Sequence, residues 1–138
     1  MLTIYGHDLS PPSNKVRMCA DAIGIDYTYA PIDLVAGEHK GAEHVQRHPA
    51  GKIPVIDDDG FMLYESDAIN KYLAVSRGSS LYPEDVKEQA AVDQWLGYIG
   101  FHLWEQGVFR LFYNQVVAAK LLKLPKDELD IRRGQFAI

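Results

Sequence analysis

His48-Pro49-Ala50-Gly51-Lys52-Ile53-Pro54-Val55-Ile56-Asp57-Asp58-Asp59-Gly60-Phe61-Met62-Leu63-Tyr64-Glu65-Ser66-Asp67-Ala68-Ile69-Asn70-Lys71-Tyr72 decides how this chain folds. It reads as turn, strand, tight turn, strand, helix. Pro49-Ala50-Gly51 is a loop signal. Ile53 to Ile56 is a short apolar run in which Pro54 cannot donate a ladder hydrogen bond, so the strand must start or bend there. Asp57-Asp58-Asp59-Gly60 suits a hairpin turn, because Asp and Gly tolerate positive φ. Phe61 to Leu63 return as the second strand, and Glu65-Ser66-Asp67 open a helix with cap-type and acidic residues. The plan sets a helix N-terminus, whose N–H groups suit a carboxylate, beside an Ile-Pro strand. A backbone turned outward at Ile53 would be free to pair with an extended peptide. A hairpin and helix alone are most often simple packing; the complete string is more specific.

Working outward, Leu2 to Tyr5 is a short strand with Leu2 and Ile4 on one face. A helix follows, capped by Ser13 or Asn14 and running to about Ala22 or Ile23. Val16, Cys19, Ala20 and Ile23 form its apolar stripe and Gly24 its stop. Tyr27 to Ile32 alternates as a second strand, and strand, helix, strand implies a right-handed parallel unit. Asp33 to Arg47 is irregular, with a helical turn or two around Ala42 to Gln46. The expected fold is therefore an α/β, thioredoxin-like N-terminal domain, β-α-β-α-β-β-α with a mixed sheet, followed by an all-α C-terminal part. Its expected boundaries are 1–78 and 79–138, with Arg77-Gly78-Ser79-Ser80 as the linker. In the second part a long helix opens near Val86. Val92, Trp95, Leu96, Ile99 and Leu103 recur at helical spacing, and Trp95 and Trp104 are expected to pack helices. Gly97 and Gly100 each cost about 1 kcal/mol in a helix interior, which a closely packed backbone would explain. The helix should continue, bent near Gly107, to about Lys123, where Pro125 interrupts it. A last helix over Lys126 to Phe136 is weakened by Gly134.

A chain of 138 residues with 47% hydrophobic and 24% charged residues is an ordinary globular chain. Its net charge of −5 gives no footprint for a nucleic-acid partner. No apolar run approaches a membrane span, and Met1 to Gly6 lacks the pattern of a signal peptide. The single cysteine, Cys19, allows no internal disulfide and no Cys-x-x-Cys pair, and it sits on the buried stripe. A thiol–disulfide oxidoreductase is accordingly disfavoured. His39, His44 and His48 raise the question of metal. Only His44 and His48 have helical spacing, Pro49 disfavours that helix, and no third ligand accompanies them, so no metal site is expected.

The decisive string closely resembles the end of the N-terminal domain of cytosolic glutathione transferases. The resemblance covers about residues 1–115 and is strongest at 32–73. Pro49-Ala50-Gly51-Lys52-Ile53-Pro54-Val55 followed by Glu65-Ser66-Asp67-Ala68-Ile69 is its most specific motif pair. Ile32-Asp33-Leu34-Val35-Ala36-Gly37-Glu38-His39-Lys40 looks like the phi and theta classes. Tyr64 to Tyr72 and Lys87 to Leu96 lean towards phi.

The resemblance implies conjugation of the glutathione thiolate to hydrophobic electrophiles, with peroxidase activity on the side. Glutathione is then a co-substrate, and no further cofactor is implied. A serine near the first helix should activate the thiol. Ser10 lines up best with that position, with Ser13 as the alternative and the expected cap. By the same resemblance, His39, Lys40 and Lys52 serve the glycine carboxylate. The Ile53 backbone before Pro54 pairs with the cysteinyl unit. Glu65 and Ser66 hold the γ-glutamyl ammonium and carboxylate. His102, Trp104 and Tyr113 are weaker candidates for the electrophile pocket. A homodimer in the cytoplasm is implied, with neither nucleic acid nor membrane as partner. The family's helical domain is normally longer than the roughly 55 residues after the linker here, read against ordinary domain sizes. That motivates a second expectation, a noncatalytic binding or assembly module on the same fold.

Overall fold

The computed structural model describes residues 1–136. Residues 137 and 138, the last two of the expected second domain 79–138, lie outside the described residues. The chain divides into two compact units, Met1–Pro83 and Glu84 onward, so Ser79 to Pro83 go with the first.

In the first unit, β1 (Leu2–Gly6), α1 (Pro11–Ile23) and β2 (Tyr27–Pro31) form the expected crossover, with β1 and β2 parallel. A 3-10 turn (Glu38–Lys40) and α2 (Ala42–Arg47) follow. Then come β3 (Val55–Asp58), β4 (Phe61–Tyr64) and α3 (Ser66–Ser76). Strand order is β2-β1-β3-β4, and β3 is antiparallel to both neighbours. This is the mixed thioredoxin-like sheet.

The core follows from alternation. Leu2 and Ile4 are buried on one face of β1, and Ile56 lies beside Ile4 on β3. Val16 and Ala20 of α1 and Ile69 and Leu73 of α3 close over the same cluster. Cys19 and Ile23, the other members of the α1 stripe, are half-buried. Full burial of each large aliphatic side chain contributes about 1.5–3 kcal/mol, so this cluster is the main stabilising feature of the unit. The β3–β4 turn has positive φ at both Asp59 (53°) and Gly60 (92°), the condition for a type I′ hairpin. Asp57 Oδ1 accepts the Gly60 N–H at 2.7 Å. β3 starts immediately after Pro54, and the Ile53–Pro54 peptide bond is cis. α1 stops at Gly24 in the left-handed region, with the Ile25 N–H returning to the Ala20 carbonyl at 2.9 Å.

The second unit opens with α4 (Val86–Tyr98), whose N-cap Asp85 accepts the N–H groups of Lys87 and Glu88. The chain stays helical through Gly107. It continues through two π-wound stretches, Ile99–Val108 and Tyr113–Leu121, separated by α5 (Phe109–Phe112). The i→i+5 pattern appears in the bond from the Leu122 N–H to the Val117 carbonyl at 2.8 Å. Lys123 takes a positive φ of 56° and ends the run before Pro125. α6 (Glu128–Phe136) packs against the π-wound stretch and α5.

Two expectations fail in this unit. Trp95 does not pack helices: it is 62% exposed, Ile99 is exposed too, and α4 has no buried residue. Gly97 faces open space, so close backbone approach does not explain it. The close approach is at Gly134 of α6, where an added Cβ would stand 3.0 Å from the Gly107 carbonyl oxygen. Trp95 and Trp104 each meet a ring of their own helical run, Tyr98 at 5.9 Å and Phe109 at 6.0 Å. The ends of α5 and α6 are tied by Asn114, buried, which donates to the Arg110 carbonyl and the Asp130 carboxylate and accepts the Asp127 N–H. An Arg110–Asp130 ion pair adds to the knot.

Candidate active site

Strand register alone gathers the site. Tyr5 of β1 pairs with Val55 of β3, and Val55 pairs with Tyr64 of β4. The segments leaving these positions, His7 to Ser10, Ile53-Pro54 and Glu65-Ser66, therefore share one end of the sheet. The chain after β2 starts from the same end, because the Ile32 N–H donates to the Gly6 carbonyl at 2.7 Å. From there it delivers His39 and Lys40.

Ser10, not Ser13, caps α1, and the helix begins at Pro11 rather than near Ser13. The Ser13 N–H donates to Ser10 Oγ at 3.3 Å. Pro11 and Pro12 occupy the first turn and have no N–H, and the Asn14 N–H goes to the Ser10 carbonyl at 3.0 Å. The first turn thus presents no unused backbone donor. A hydroxyl holds one proton and two lone pairs. Ser10 Oγ spends a lone pair on the cap and keeps its proton, in a half-buried position. Ser13 is fully buried, and its Oγ meets no hydrogen-bond partner among the described residues. It packs against Gly6, where an added Cβ would stand 2.8 Å from that Oγ. The loop before Ser10 is pinned from both sides. Asn14 Nδ2 donates to the Asp8 carbonyl at 2.8 Å, and Arg17 Nη1 to the Asp8 carboxylate at 2.9 Å. Arg17 also lies over the Tyr29 ring, 4.3 Å from its centre.

Around Ile53 the loop is held by histidines. His44 Nε2 lies 2.8 Å from the Lys52 carbonyl oxygen, and Lys40 Nζ donates to the Ala50 carbonyl at 2.9 Å. One of the three Lys40 ammonium protons is therefore committed to the protein. The Lys52 side chain is exposed, Ile53 half-buried and Pro54 buried. His39 is half-buried, and its Nδ1 is enclosed with no partner among the described residues. Burial, reinforced by Lys40 and His44, pushes its pKa down. His48 is buried, stacks at 4.5 Å on Tyr64, and accepts the Ala50 N–H on Nδ1 at 3.2 Å. Burial lowers its pKa against the opposing pull of Glu65, whose carboxylate stands 3.9 Å away.

Glu65 is exposed and takes a positive φ of 70°, a conformation unusual for a residue with a Cβ. It makes no side-chain cap bond to α3, so the capping expected of it does not occur. Ser66 is half-buried at the first helical position. Ser10, Ile53, Glu65 and Ser66 thus all lie in the first unit, next to strand ends that the register brings together. His44 and His48, the histidines at helical spacing, brace the loop. Among the described residues no three His, Cys, Asp or Glu groups stand where they could hold a metal ion. Burial pushes the Cys19 thiol up, which suits packing rather than nucleophilic use. His102 and Tyr113 lie in the second unit and are exposed.

The family model of the glutathione S-transferase N-terminal domain matches residues 1–75. Glutathione S-transferase 1 of Manduca sexta is 38% identical over 101 residues, 71% of this chain and 46% of that protein. The probable glutathione S-transferase GSTF2 of Oryza sativa subsp. japonica is 35% identical over 128 residues, 92% of this chain and 59% of that protein. The chain thus spans roughly half of the curated relatives it matches. Among solved structures, glutathione transferase F7 of Populus trichocarpa superposes with a TM-score of 0.89 at 27% identity, covering 99% of this chain and 65% of that one. A diazinon-metabolizing glutathione S-transferase of Bombyx mori gives 0.80 at 27% identity, covering 99% and 63%.

Proposed function

Because the chain belongs to the glutathione S-transferase family, we propose that it binds glutathione at this sheet end and conjugates its thiolate to hydrophobic electrophiles. The observation that carries the proposal is the Ser10 hydroxyl. It caps α1 with a lone pair, keeps its proton, and stands where the prolines leave no competing backbone donor.

A free thiol titrates at about 8.5 and is mostly protonated at neutral pH. A hydroxyl that donates to sulfur favours the thiolate, and the positive end of α1 adds to it. A depression of about two pKa units corresponds to about 2.7 kcal/mol. Ser10 acts as donor and forms no covalent bond. The thiolate attacks an electrophilic carbon, a C–S bond forms, the displaced group leaves with its electron pair, and the thiol proton passes to solvent. In the side reaction the thiolate attacks the terminal oxygen of a hydroperoxide, an S–O bond forms as the O–O bond breaks, the alkoxide leaves and takes a proton from solvent, and a second glutathione converts the sulfenic acid to disulfide and water. His39, Lys40 and Lys52 serve the glycine carboxylate, the Ile53 backbone pairs with the cysteinyl unit before Pro54, and Glu65 and Ser66 meet the γ-glutamyl ammonium and carboxylate. The charges of Lys40, Lys52 and Glu65 fit, His39 contributes as a neutral ring whose pKa is lowered by burial, and the uncapped start of α3 supports the carboxylate role. That a Bombyx mori neighbour metabolizes diazinon supports the electrophile side. Homodimeric assembly in the cytoplasm belongs to the same proposal and rests on family membership. No described helix is long and apolar enough to cross a membrane.

The test is a calorimetric titration of glutathione into wild type and Ser10→Ala, paired with conjugation of a chromogenic electrophile. Retained affinity with turnover reduced at least tenfold (about 1.4 kcal/mol) is expected. Absence of glutathione binding to the wild type would end the proposal.

A further inference from the structure

We infer that His44 is a positioning residue that fixes the spacing between the glycine end of the site and the Ile53 backbone. It thereby gives the site its preference for glutathione over γ-glutamylcysteine, which lacks the glycine. The inference rests on the glutathione reading above and deepens it.

Three contacts form one seam between 39–44 and 50–52. His44, 1% exposed on α2, lies with Nε2 2.8 Å from the Lys52 carbonyl oxygen. A carbonyl only accepts, so Nε2 is the donor. Lys40 Nζ donates to the Ala50 carbonyl at 2.9 Å. Between them Gly51, at φ 56°, passes so close that an added Cβ would stand 2.6 Å from the His39 carbonyl oxygen. The seam has a directional consequence. The Lys52 C=O and the Ile53 N–H share one planar peptide unit and point opposite ways in a trans bond. By holding the Lys52 oxygen towards α2, His44 turns the Ile53 N–H away from α2, to the side where an extended peptide can pair. The imidazole that aims Ile53 stands on the segment that carries His39 and Lys40. One buried ring thus sets the distance between groups proposed for the glycine carboxylate and for the cysteinyl backbone. Only a ligand that reaches both registers that distance.

His44→Phe keeps a buried ring and removes the donor. His44→Gln keeps a donor near the Nε2 position. Gly51→Ala opens the same seam from the opposite side. Affinities of wild type and all three for glutathione and for γ-glutamylcysteine are measured by calorimetry, with thermal melting as the check on folding. For His44→Phe, glutathione affinity should fall about tenfold, the scale of one lost charge-neutral hydrogen bond and its unpaired partner, and γ-glutamylcysteine affinity much less. The ratio should narrow likewise in Gly51→Ala and stay near wild type in His44→Gln. If His44→Phe does not fold, Gly51→Ala against His44→Gln decides on the same ratio. Equal losses for both ligands, or no loss, would overturn the inference and leave the glutathione reading standing. Failure of wild type to bind either ligand would overturn both.

Discussion

Ser10 and Ser13 are chemically identical and three residues apart, and their surroundings give them opposite tasks. Ser10 satisfies an orphan helix donor and keeps its proton; Ser13 is enclosed with an unpaired oxygen. Ser10→Ala should therefore lower the melting transition by the equivalent of about 1 kcal/mol, the usual worth of a cap, as well as reducing turnover. Ser13→Ala should leave turnover unchanged and stability unchanged or raised, since it removes a buried unpaired polar group. Comparing melting and conjugation rates of the two variants checks this. Motif position makes Ser10 the candidate donor, whereas cap preference alone points to Ser13 as the cap. The correcting signal lay in Pro11-Pro12, because proline at the first helical position marks the preceding residue as cap. His48 gives a second residue-scale prediction. Its pKa is lowered by burial in the folded chain, so the unfolded chain binds more protons between the folded value and about 6.5. Stability is full above that range and falls on acidification through it. Protonation of Nδ1 also removes the acceptor of the Ala50 N–H. The melting temperature should drop from pH 7.5 towards 5.5, less so in His48→Gln; an equal drop in both would remove His48 from the account.

At the scale of elements, hairpin, helix starts and sheet order follow from short-range rules, and these were readable. Asp59-Gly60 demands the tight turn, Pro54 the strand start, and Gly24 the helix stop. Burial in the second unit was not readable, because helical spacing of Trp95 and Ile99 states that a face is apolar and not what lies against it. The glycines show the same limit. Gly97, in α4, has room for a Cβ, whereas Gly134, in α6, abuts the Gly107 carbonyl and the Arg110 side chain. Gly97→Ala should raise stability by up to about 1 kcal/mol through helix propensity. Gly134→Val should lower it by about 1–3 kcal/mol through overpacking, despite the gain in propensity. Chemical denaturation of the two variants distinguishes them, and a destabilised Gly97→Ala would mean that this face is covered.

At the scale of the molecule, each of the two units has buried apolar residues of its own, Leu2, Ile4, Ile56, Ile69 and Leu73 clustering in the first and Ala118 and Ile131 lying in the second. Every residue proposed for glutathione lies in the first. Binding to the folded state stabilises it by about 2.7 kcal/mol when ligand stands at a hundred times Kd. With two units, that free energy need not appear throughout the chain, because local openings have their own free energies. Saturating glutathione should therefore slow amide exchange in β1, in α1 and in α3, whose cores share one cluster and whose ends form the site. Amides of α6, held by Asn114 and Gly134, should exchange at unchanged rates. Equal protection of α6 would show that the two units open together.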